Sequence, residues 1–326
     1  MKQTQFEQRY QAHWHAFALQ LESLEKSQAC DPAHRSFASA YRQICQHLAL
    51  AQARGYSSHL IDHLQRLALR GHRQFYRHRS SLPGQLAGFL LQGFPRLVRQ
   101  QWRSVLLASL LFYGSLLLMG GLVYSHPELV YSVMEPSQAS DMEQMYDPAA
   151  RRIGKLAERD SNDDWMMFGH YIMNNIGIAF QTFASGLLFG LGSLFFLLFN
   201  GLMIGAVAGH LTRIGYHDTF WSFVIGHGAF ELTAITLAGA AGLQLGWALI
   251  APGRHARSEA LRLAAAQAVK LVAGVVIMLL IAAFVEAYWS SMTLASSSLK
   301  YWVGAALWLL VAIYFLAVGR GTHAPD

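Results

Sequence analysis

Residues 104–124, SVLLASLLFYGSLLLMGGLVY, decide the fold class because they run for 21 residues without one charged side chain. A helix of about 20 apolar residues crosses the ~30 Å hydrocarbon core of a bilayer, so this stretch predicts a transmembrane helix. Composition agrees, since 53% of the chain is hydrophobic and 13% is charged, against about 25% charged in soluble domains. We predict an all-α fold: a polytopic membrane helical bundle with broken or re-entrant segments, plus an N-terminal cytoplasmic helical bundle.

The N-terminal part, residues 1–81, has a different character. It contains three amphipathic runs at helical spacing, and the first 100 residues hold 13 basic against 5 acidic side chains. We expect a basic cytoplasmic helical domain. The net charge of +6 suits a protein that faces anionic lipid. No nucleic-acid motif accompanies the charge, so we expect the bilayer as a partner and no nucleic acid.

Residues 82–103 join this domain to the apolar part, and they mix large apolar side chains with arginines. We interpret them as an interfacial linker in the headgroup layer, and a plain linker is the alternative. Aromatic and basic side chains are the usual anchors at this depth. The predicted anchors are Arg96, Arg99, Trp102 and Arg103.

A membrane domain follows at 104–320, with about six hydrophobic segments, of which four to six cross completely. Residues 125–168 form an acidic loop within it, with 9 acidic and 4 basic side chains. The positive-inside rule places this loop outside and the basic flanks inside. We therefore predict a multi-pass protein of the inner (cytoplasmic) membrane with both termini in the cytoplasm.

Two hydrophobic blocks leave the course of the chain open. Residues 171–209 carry no Lys, Arg, Asp or Glu. They could form a short re-entrant helix at 171–184 followed by one span, or two spans that meet at a tight turn near 186–193. Residues 220–250 are long for one helix and rich in glycine, so we expect a break or a re-entrant bend there.

The polar interruptions of these blocks are the candidate functional residues. His227 and Glu231 lie four residues apart, on one face of a helix. They could lock helix packing, hold a metal or carry protons along a solute path, and packing is the reading we favour. We expect no bound cofactor or metal, although both side chains are metal-ligand types, and His210, His217 and Asp218 could add ligands.

Three asparagines and a set of glycines complete the pattern. Asn174, Asn175 and Asn200 could hydrogen bond between helices, but we favour helix breaks at these NN and NG pairs. Glycines spaced four apart let helices approach closely, within one chain or across a homodimer seam. Glu286, near the end of a later segment, should be solvated. The glycines that define the packing pattern are Gly186, Gly190, Gly201, Gly205 and Gly209.

Together these motifs resemble the stage II sporulation protein M family, also known as DUF95. The order NNI at 174–176, GLLFGLGSLFFLLFNGLMIG at 186–205 and HGAFEL at 227–232 is similar to that of the family. The resemblance covers most of the chain, although the long basic N-terminal domain and the acidic loop depart from the shorter members. The family's motif residues carry over as Asn174, Asn175, Asn200, Gly201, His227, Gly228 and Glu231.

The resemblance implies a membrane scaffold, because the family member of spore formers holds peptidoglycan-degrading partners. We therefore expect a scaffold or assembly factor that recruits other envelope proteins, with a homodimer as one possibility. The alternative is a transporter or channel component that uses the polar residues at membrane depth. We expect no enzymatic activity, since no nucleophile motif is present; a metal-dependent intramembrane enzyme is the remaining enzymatic reading.

Overall fold

The computed structural model describes residues 1–26, 34–75, 82–149, 161–292 and 294–320. Within these ranges the chain forms α-helices with short 3₁₀ and π segments, and no strand. The chain divides into two compact units, Met1–Leu82 and Pro83–Asp326. The all-α prediction is therefore confirmed.

The first unit is a bundle of three helices, α1 (Gln3–Lys26), α2 (His34–Ala53) and α3 (Ser58–Phe75). Each helix buries one apolar stripe, as the amphipathic pattern predicted. Gly55, with a φ of +61°, makes the turn between α2 and α3. The core consists of Phe6, Trp14, Phe17, Leu21, Leu24, Phe37, Ile44, Ala51, Leu60, Leu64 and Leu67.

A histidine contributes a hydrogen bond to this bundle. The Trp14 indole N–H donates to His47 Nδ1 at 3.1 Å, and the Tyr10 ring lies 4.2 Å from the imidazole, centroid to centroid. Burial lowers the pKa of His47, and the nearby His13 lowers it further. The imidazole is thus held neutral, as an acceptor for the indole.

This arrangement predicts a pH-dependent stability of the bundle. The pKa of His47 is lower in the folded than in the unfolded state, so the unfolded chain binds more protons below about pH 6.5. We expect the free energy of unfolding to be highest above that pH and to fall on acidification. Hydrogen exchange of the α1 and α2 amides, corrected for intrinsic rates, measures this. His47→Gln should reduce the pH dependence; an unchanged dependence would contradict the assignment.

The second unit supplies the remaining helices. Five of the described helices are long and apolar enough to cross a membrane, namely Trp102–Ser125, Leu191–Arg213, His217–Ile250, Arg257–Ser290 and Ser297–Ala317. The elements in chain order are α4 (Leu82–Gly88), a π-helix (Phe89–Gly93), α5 (Phe94–Gln100), α6 (Trp102–Ser125), a 3₁₀-helix (Pro127–Ser132), α7 (Pro136–Tyr146), α8 (Ser161–Ala184), a 3₁₀ turn (Ser185–Leu187), α9 (Leu191–Arg213), α10 (His217–Ile250), α11 (Arg257–Phe284) with the π-helix Val285–Ser290, and α12 (Ser297–Ala317).

The block at 171–209 forms two helices joined by a tight turn. Of the two, the helix Leu191–Arg213 is long and apolar enough to cross a membrane, so two full spans in this block stay a prediction. The turn occupies Ser185–Leu187 and the residues after it, and it reverses the chain between α8 and α9. Phe189 and Gly190 adopt positive φ angles of 52° and 81° there. Helix α8 begins at Ser161, inside the segment predicted as an external loop.

The predicted breaks at NN, at NG and within 220–250 are wrong. Helix α10 runs unbroken for 34 residues, about 51 Å, and the Asn174–Asn175 and Asn200–Gly201 pairs lie inside α8 and α9. The physical reason is that an interrupted helix leaves backbone groups without partners in apolar surroundings. Asn200 instead donates to the Phe196 carbonyl of its own helix at 2.7 Å.

Glycines bring α6 and α9 together side by side. Gly201, Gly205 and Gly209 each face the α6 backbone, one turn apart. A Cβ at Gly205 would lie 2.3 Å from the Leu116 carbonyl oxygen, and one at Gly209 would lie 2.4 Å from that of Gly120. The residue numbers of the contacting positions increase in the same direction along both helices, so α6 and α9 are parallel.

A second glycine contact fixes the turn between α8 and α9 against α10. A Cβ at Gly186 would lie 2.2 Å from the Gly242 carbonyl oxygen, and a Cβ at Gly246 would lie 2.2 Å from the Gly190 nitrogen. These glycine surfaces are therefore occupied by contacts within the chain. A homodimer stays a prediction, and it would have to use another face.

The segment predicted as an interfacial linker is packed onto α11 and α12. The Phe94 ring fills the space beside Gly274, and Arg99 Nη1 donates to the Phe315 carbonyl at 2.8 Å. Trp102 is 56% exposed, and the Arg103 guanidinium lies 5.5 Å from its ring centroid. An exposed Trp–Arg pair suits the headgroup layer, and that position stays a prediction, as it does for Arg96.

The glycine seam predicts a large effect of one methyl group. Gly205→Ala places a Cβ against the Leu116 backbone, which cannot retreat, so we expect destabilisation of about 1–3 kcal/mol and a lower melting temperature in detergent. Gly114→Ala in α6 is the matched control, since its Cβ would meet nothing within 4 Å and alanine favours helix. Equal melting temperatures for the two variants would contradict the packing described.

Candidate functional site

Three titratable side chains meet inside the membrane domain. His227 and Glu231 come from α10, and Glu286 comes from the π-helix that extends α11. One ligand-type atom of each residue lies within 4.8 Å of those of the other two. His227 is 6% and Glu286 8% exposed, and Glu231 is half-buried.

Local helix geometry explains the meeting. His227 and Glu231 share a face of α10 because residues four apart are neighbours on a helix. The π-helix Val285–Ser290 is a widened turn, and such turns re-aim side chains and recur at functional sites. It presents Glu286 to α10.

The expectation that Glu286 is solvated is wrong. Its position near the end of the hydrophobic segment suggested exposure, but the rotation of α11 about its axis turns it inward. That rotation depends on packing against α10, which no local pattern records. The sequence did contain one signal for the burial of Glu286, namely its carboxylate, because an ionisable residue within a membrane span usually faces the bundle interior.

A third helix contributes an amide to the cluster. Asn175 of α8 is 3% exposed, and its side chain interacts with both the Glu231 and the Glu286 carboxyl. Its oxygen accepts from Asn174 Nδ2 at 2.9 Å. Its own amide nitrogen and Glu286 Oε2 are nevertheless buried without a hydrogen bond of normal geometry. Buried polar atoms without partners are uncommon and point to a ligand, a water or a catalytic role.

The histidine is held from behind by α11 and α12. His227 Nδ1 lies 3.1 Å from Ser290 Oγ, and the Lys300 ammonium donates to the Ser290 carbonyl at 2.8 Å. Phe223 packs edge-on against the imidazole, 5.3 Å between centroids. These contacts fix the ring orientation.

A cavity of about 240 Å³ reaches two of the three groups. Its walls come from α9 and α10, and they are apolar except where His227 and Glu231 line it. Gly228, another of the predicted motif residues, also lines it. A mostly apolar cavity with a few convergent polar groups is the usual form of a small-ligand site.

The other candidate residues lie elsewhere. Gly201 belongs to the contact between α6 and α9, Asn200 donates to the Phe196 carbonyl of its own helix, and His210 pairs with Glu143 at 2.7 Å. His217 and Asp218 form an exposed pair at 3.8 Å at the start of α10. None of them joins the cluster, so the additional ligands considered from the sequence do not converge on His227.

The cluster can do limited chemistry. Two carboxyls this close in a low-dielectric site cannot both be ionised without a compensating positive charge, so they share a proton or hold a cation. Among the described residues, neither carboxyl forms an ion pair with a lysine or arginine. The geometry therefore suits proton sharing or cation binding.

Comparison with known families agrees with this architecture. The model of the family described as stage II sporulation protein M matches residues 108–291. The chain belongs to the stage II sporulation protein M family. A domain of unknown function, DUF8413, matches residues 4–77. No curated protein and no solved structure matches the chain.

Family membership and five apolar helices make this an integral membrane protein. The matched region spans α6 to the end of the π-helix and so contains Asn175, His227, Glu231 and Glu286. The N-terminal match, residues 4–77, covers the three-helix bundle. The cluster thus lies in the part of the chain that defines the family, and the bundle is a separate module.

The cluster predicts a contrast between two neighbouring asparagines. Asn175→Leu removes the amide beside both carboxyls, so we expect destabilisation of about 1–3 kcal/mol and a lower melting temperature in detergent. Asn174→Leu is the matched control, because Asn174 is exposed and loses only the bond to its neighbour. A control variant that melts as low as Asn175→Leu would refute the role of Asn175.

Proposed function

We propose that the protein is a scaffold or assembly factor of the inner membrane, which recruits envelope proteins to an ordered platform on its outer side. The supporting observation is that α7 is held against the ends of α9 and α10 by its own set of contacts. A rigid surface outside the lipid is what a scaffold needs, since a preorganised surface loses less entropy on binding. The proposal assigns the chain no enzymatic step.

The contacts of α7 are specific. Glu143 Oε1 meets His210 Nε2 at 2.7 Å, and the Thr219 hydroxyl donates to the Tyr146 carbonyl at 2.5 Å. The Tyr146 ring packs edge-on against Phe220 at 5.3 Å between centroids. The face of α7 turned away from these contacts is polar and exposed, and it includes Gln138, Asp141 and Gln144.

Charge supports recruitment on both sides of the membrane. The N-terminal bundle belongs to the basic part of the sequence, whereas 125–168 is acidic. Under the positive-inside rule both termini are cytoplasmic and α7 is outside. Surfaces of opposite charge would select different partners, since complementary potentials steer encounter and reject like charge.

Labelling of single cysteines tests this topology. In a chain with Cys30 and Cys45 replaced by serine, we expect Gln144→Cys to react with an impermeant maleimide in spheroplasts. Arg254→Cys, between α10 and α11, should react only after lysis. The reverse pattern would overturn the orientation.

Site-specific photo-cross-linking tests the scaffold itself. With a photoreactive residue at Asp141 on α7 or at Arg66 on the bundle, both exposed, we expect discrete products with other envelope or cytoplasmic proteins. Leu117 of α6, 73% exposed on an apolar helix, is the matched control that should give lipid adducts. Glu143→Gln should weaken the products at Asp141 and leave those at Arg66. The absence of discrete products at both sites would refute the proposal.

A transport role is the second candidate, favoured by the cavity that His227 and Glu231 line. Transporters place polar groups at membrane depth beside such cavities. Proton or cation flux in proteoliposomes measures it, and His227→Ala and Glu231→Gln should abolish the flux. Flux that both variants leave intact would exclude this role for the pair.

A further inference from the structure

We infer that His227, Glu231 and Glu286 form a binding site for one divalent transition-metal ion, with Zn²⁺ as the best match, that links α10 to α11. The inference does not rest on the scaffold proposal. It rests on the approach of three ligand-type atoms within 4.8 Å and on two buried polar atoms, Asn175 Nδ2 and Glu286 Oε2, that form no hydrogen bond of normal geometry.

The donor set selects the class of metal. Imidazole nitrogen and carboxylate oxygen are both zinc ligands, with metal–ligand distances of about 2.0–2.2 Å. Tetrahedral ligands at that radius stand ~3.4 Å apart, so ligand atoms that lie up to 4.8 Å apart have to approach one another by up to about 1.4 Å. Ca²⁺ and Mg²⁺ prefer a shell made only of oxygen atoms, so the imidazole argues against them.

Charge balance favours an ion over an empty cluster. A divalent ion with two carboxylates and a neutral imidazole has no net charge, which suits a buried position inside a membrane domain. Without the ion, the carboxyls must share protons or repel one another. Glu286 Oε2, which has no hydrogen bond, would become a ligand.

Neighbouring side chains that would not touch the metal hold the three ligands in position. With its proton on Nδ1, His227 donates to Ser290 Oγ at 3.1 Å and leaves the Nε2 lone pair for a metal. The Lys300 ammonium donates to the Ser290 carbonyl and so holds Ser290 in place. Asn175 lies beside both carboxylates and can donate to the oxygens that the metal leaves free.

The site also has room for a fourth ligand. The cavity borders His227 and Glu231, so a water or another small ligand can complete a tetrahedral shell from that side. The bound ion would join two helices that no covalent bond connects at this level. Binding should therefore raise the melting temperature in proportion to the logarithm of the free metal concentration.

Equilibrium metal binding tests the inference on the full-length protein. Protein carrying a tag without histidine is stripped with chelator in mild detergent and dialysed against Zn²⁺, Mn²⁺ or Mg²⁺. We expect one Zn²⁺ per chain, weaker Mn²⁺ binding, and no stoichiometric Mg²⁺. Glu286→Gln and Glu231→Gln should each abolish the Zn²⁺, while Ser290→Ala should weaken affinity by about 10–100-fold, as loss of a supporting hydrogen bond does.

The matched control changes another His–carboxylate pair of the same helix. His217→Ala with Asp218→Asn removes an exposed pair at 3.8 Å, outside the cluster, and should leave the bound Zn²⁺ unchanged. Loss of Zn²⁺ only in this control would overturn the inference. So would a wild-type protein that binds no more Zn²⁺ than Glu286→Gln.

Cobalt spectroscopy covers the case in which a variant does not fold. Wild-type protein loaded with Co²⁺ should show the visible bands of a four-coordinate ion with nitrogen and oxygen ligands, and Zn²⁺ should displace them. Weak six-coordinate bands, or bands that Zn²⁺ leaves in place, would contradict the site. This readout needs no substitution, and it does not depend on any partner protein.

Discussion

Direct contact between helix backbones at glycine is the constraint on which the membrane domain depends. Gly201, Gly205 and Gly209 let α9 lie on α6, where even one methyl group would collide with a carbonyl. In lipid the hydrophobic effect does little to join helices, so close van der Waals contact takes its place. The Gly186–Gly242 contact then fixes the α8–α9 turn against α10. The cluster forms where α8, α10 and α11 meet inside this frame.

Unbroken helical backbone is the second constraint on the membrane domain. Polar residues therefore occur within continuous helices and not at helix breaks. Asn200 satisfies its amide within its own helix, and α10 carries His227 and Glu231 through an unbroken run. The π-helix Val285–Ser290 that extends α11 is a widened turn, and it holds Glu286. The chain therefore carries ionisable groups at membrane depth without exposing its backbone to lipid. Their burial instead demands a partner, whether a proton or a metal ion.

The two proposals place different demands on one architecture. The proposed recruitment of partners uses the surface of α7, which is fixed by the Glu143–His210 contact and by the packing of Tyr146. Metal binding uses the interior, where α10 and α11 face each other. A metal there would stabilise the same α10 whose first turns support α7. The interior site and the outer surface are thus connected through one helix, although each is tested separately.

The sequence by itself determined the helical class, the membrane location and the family, because long uncharged segments and ordered motifs are local properties of the chain. It also indicated His227 and Glu231, since residues four apart share a helix face whatever the tertiary fold. Only the tertiary structure decided that Asn175 and Glu286 join them and that Asn200 does not. It also showed that the residues expected to break the helices lie inside continuous helices, where Gly201 and Gly242 make close contacts with other parts of the chain. The reason is that the rotation of each helix about its axis, and the neighbour each glycine meets, follow from packing between segments far apart in sequence, which no local pattern encodes.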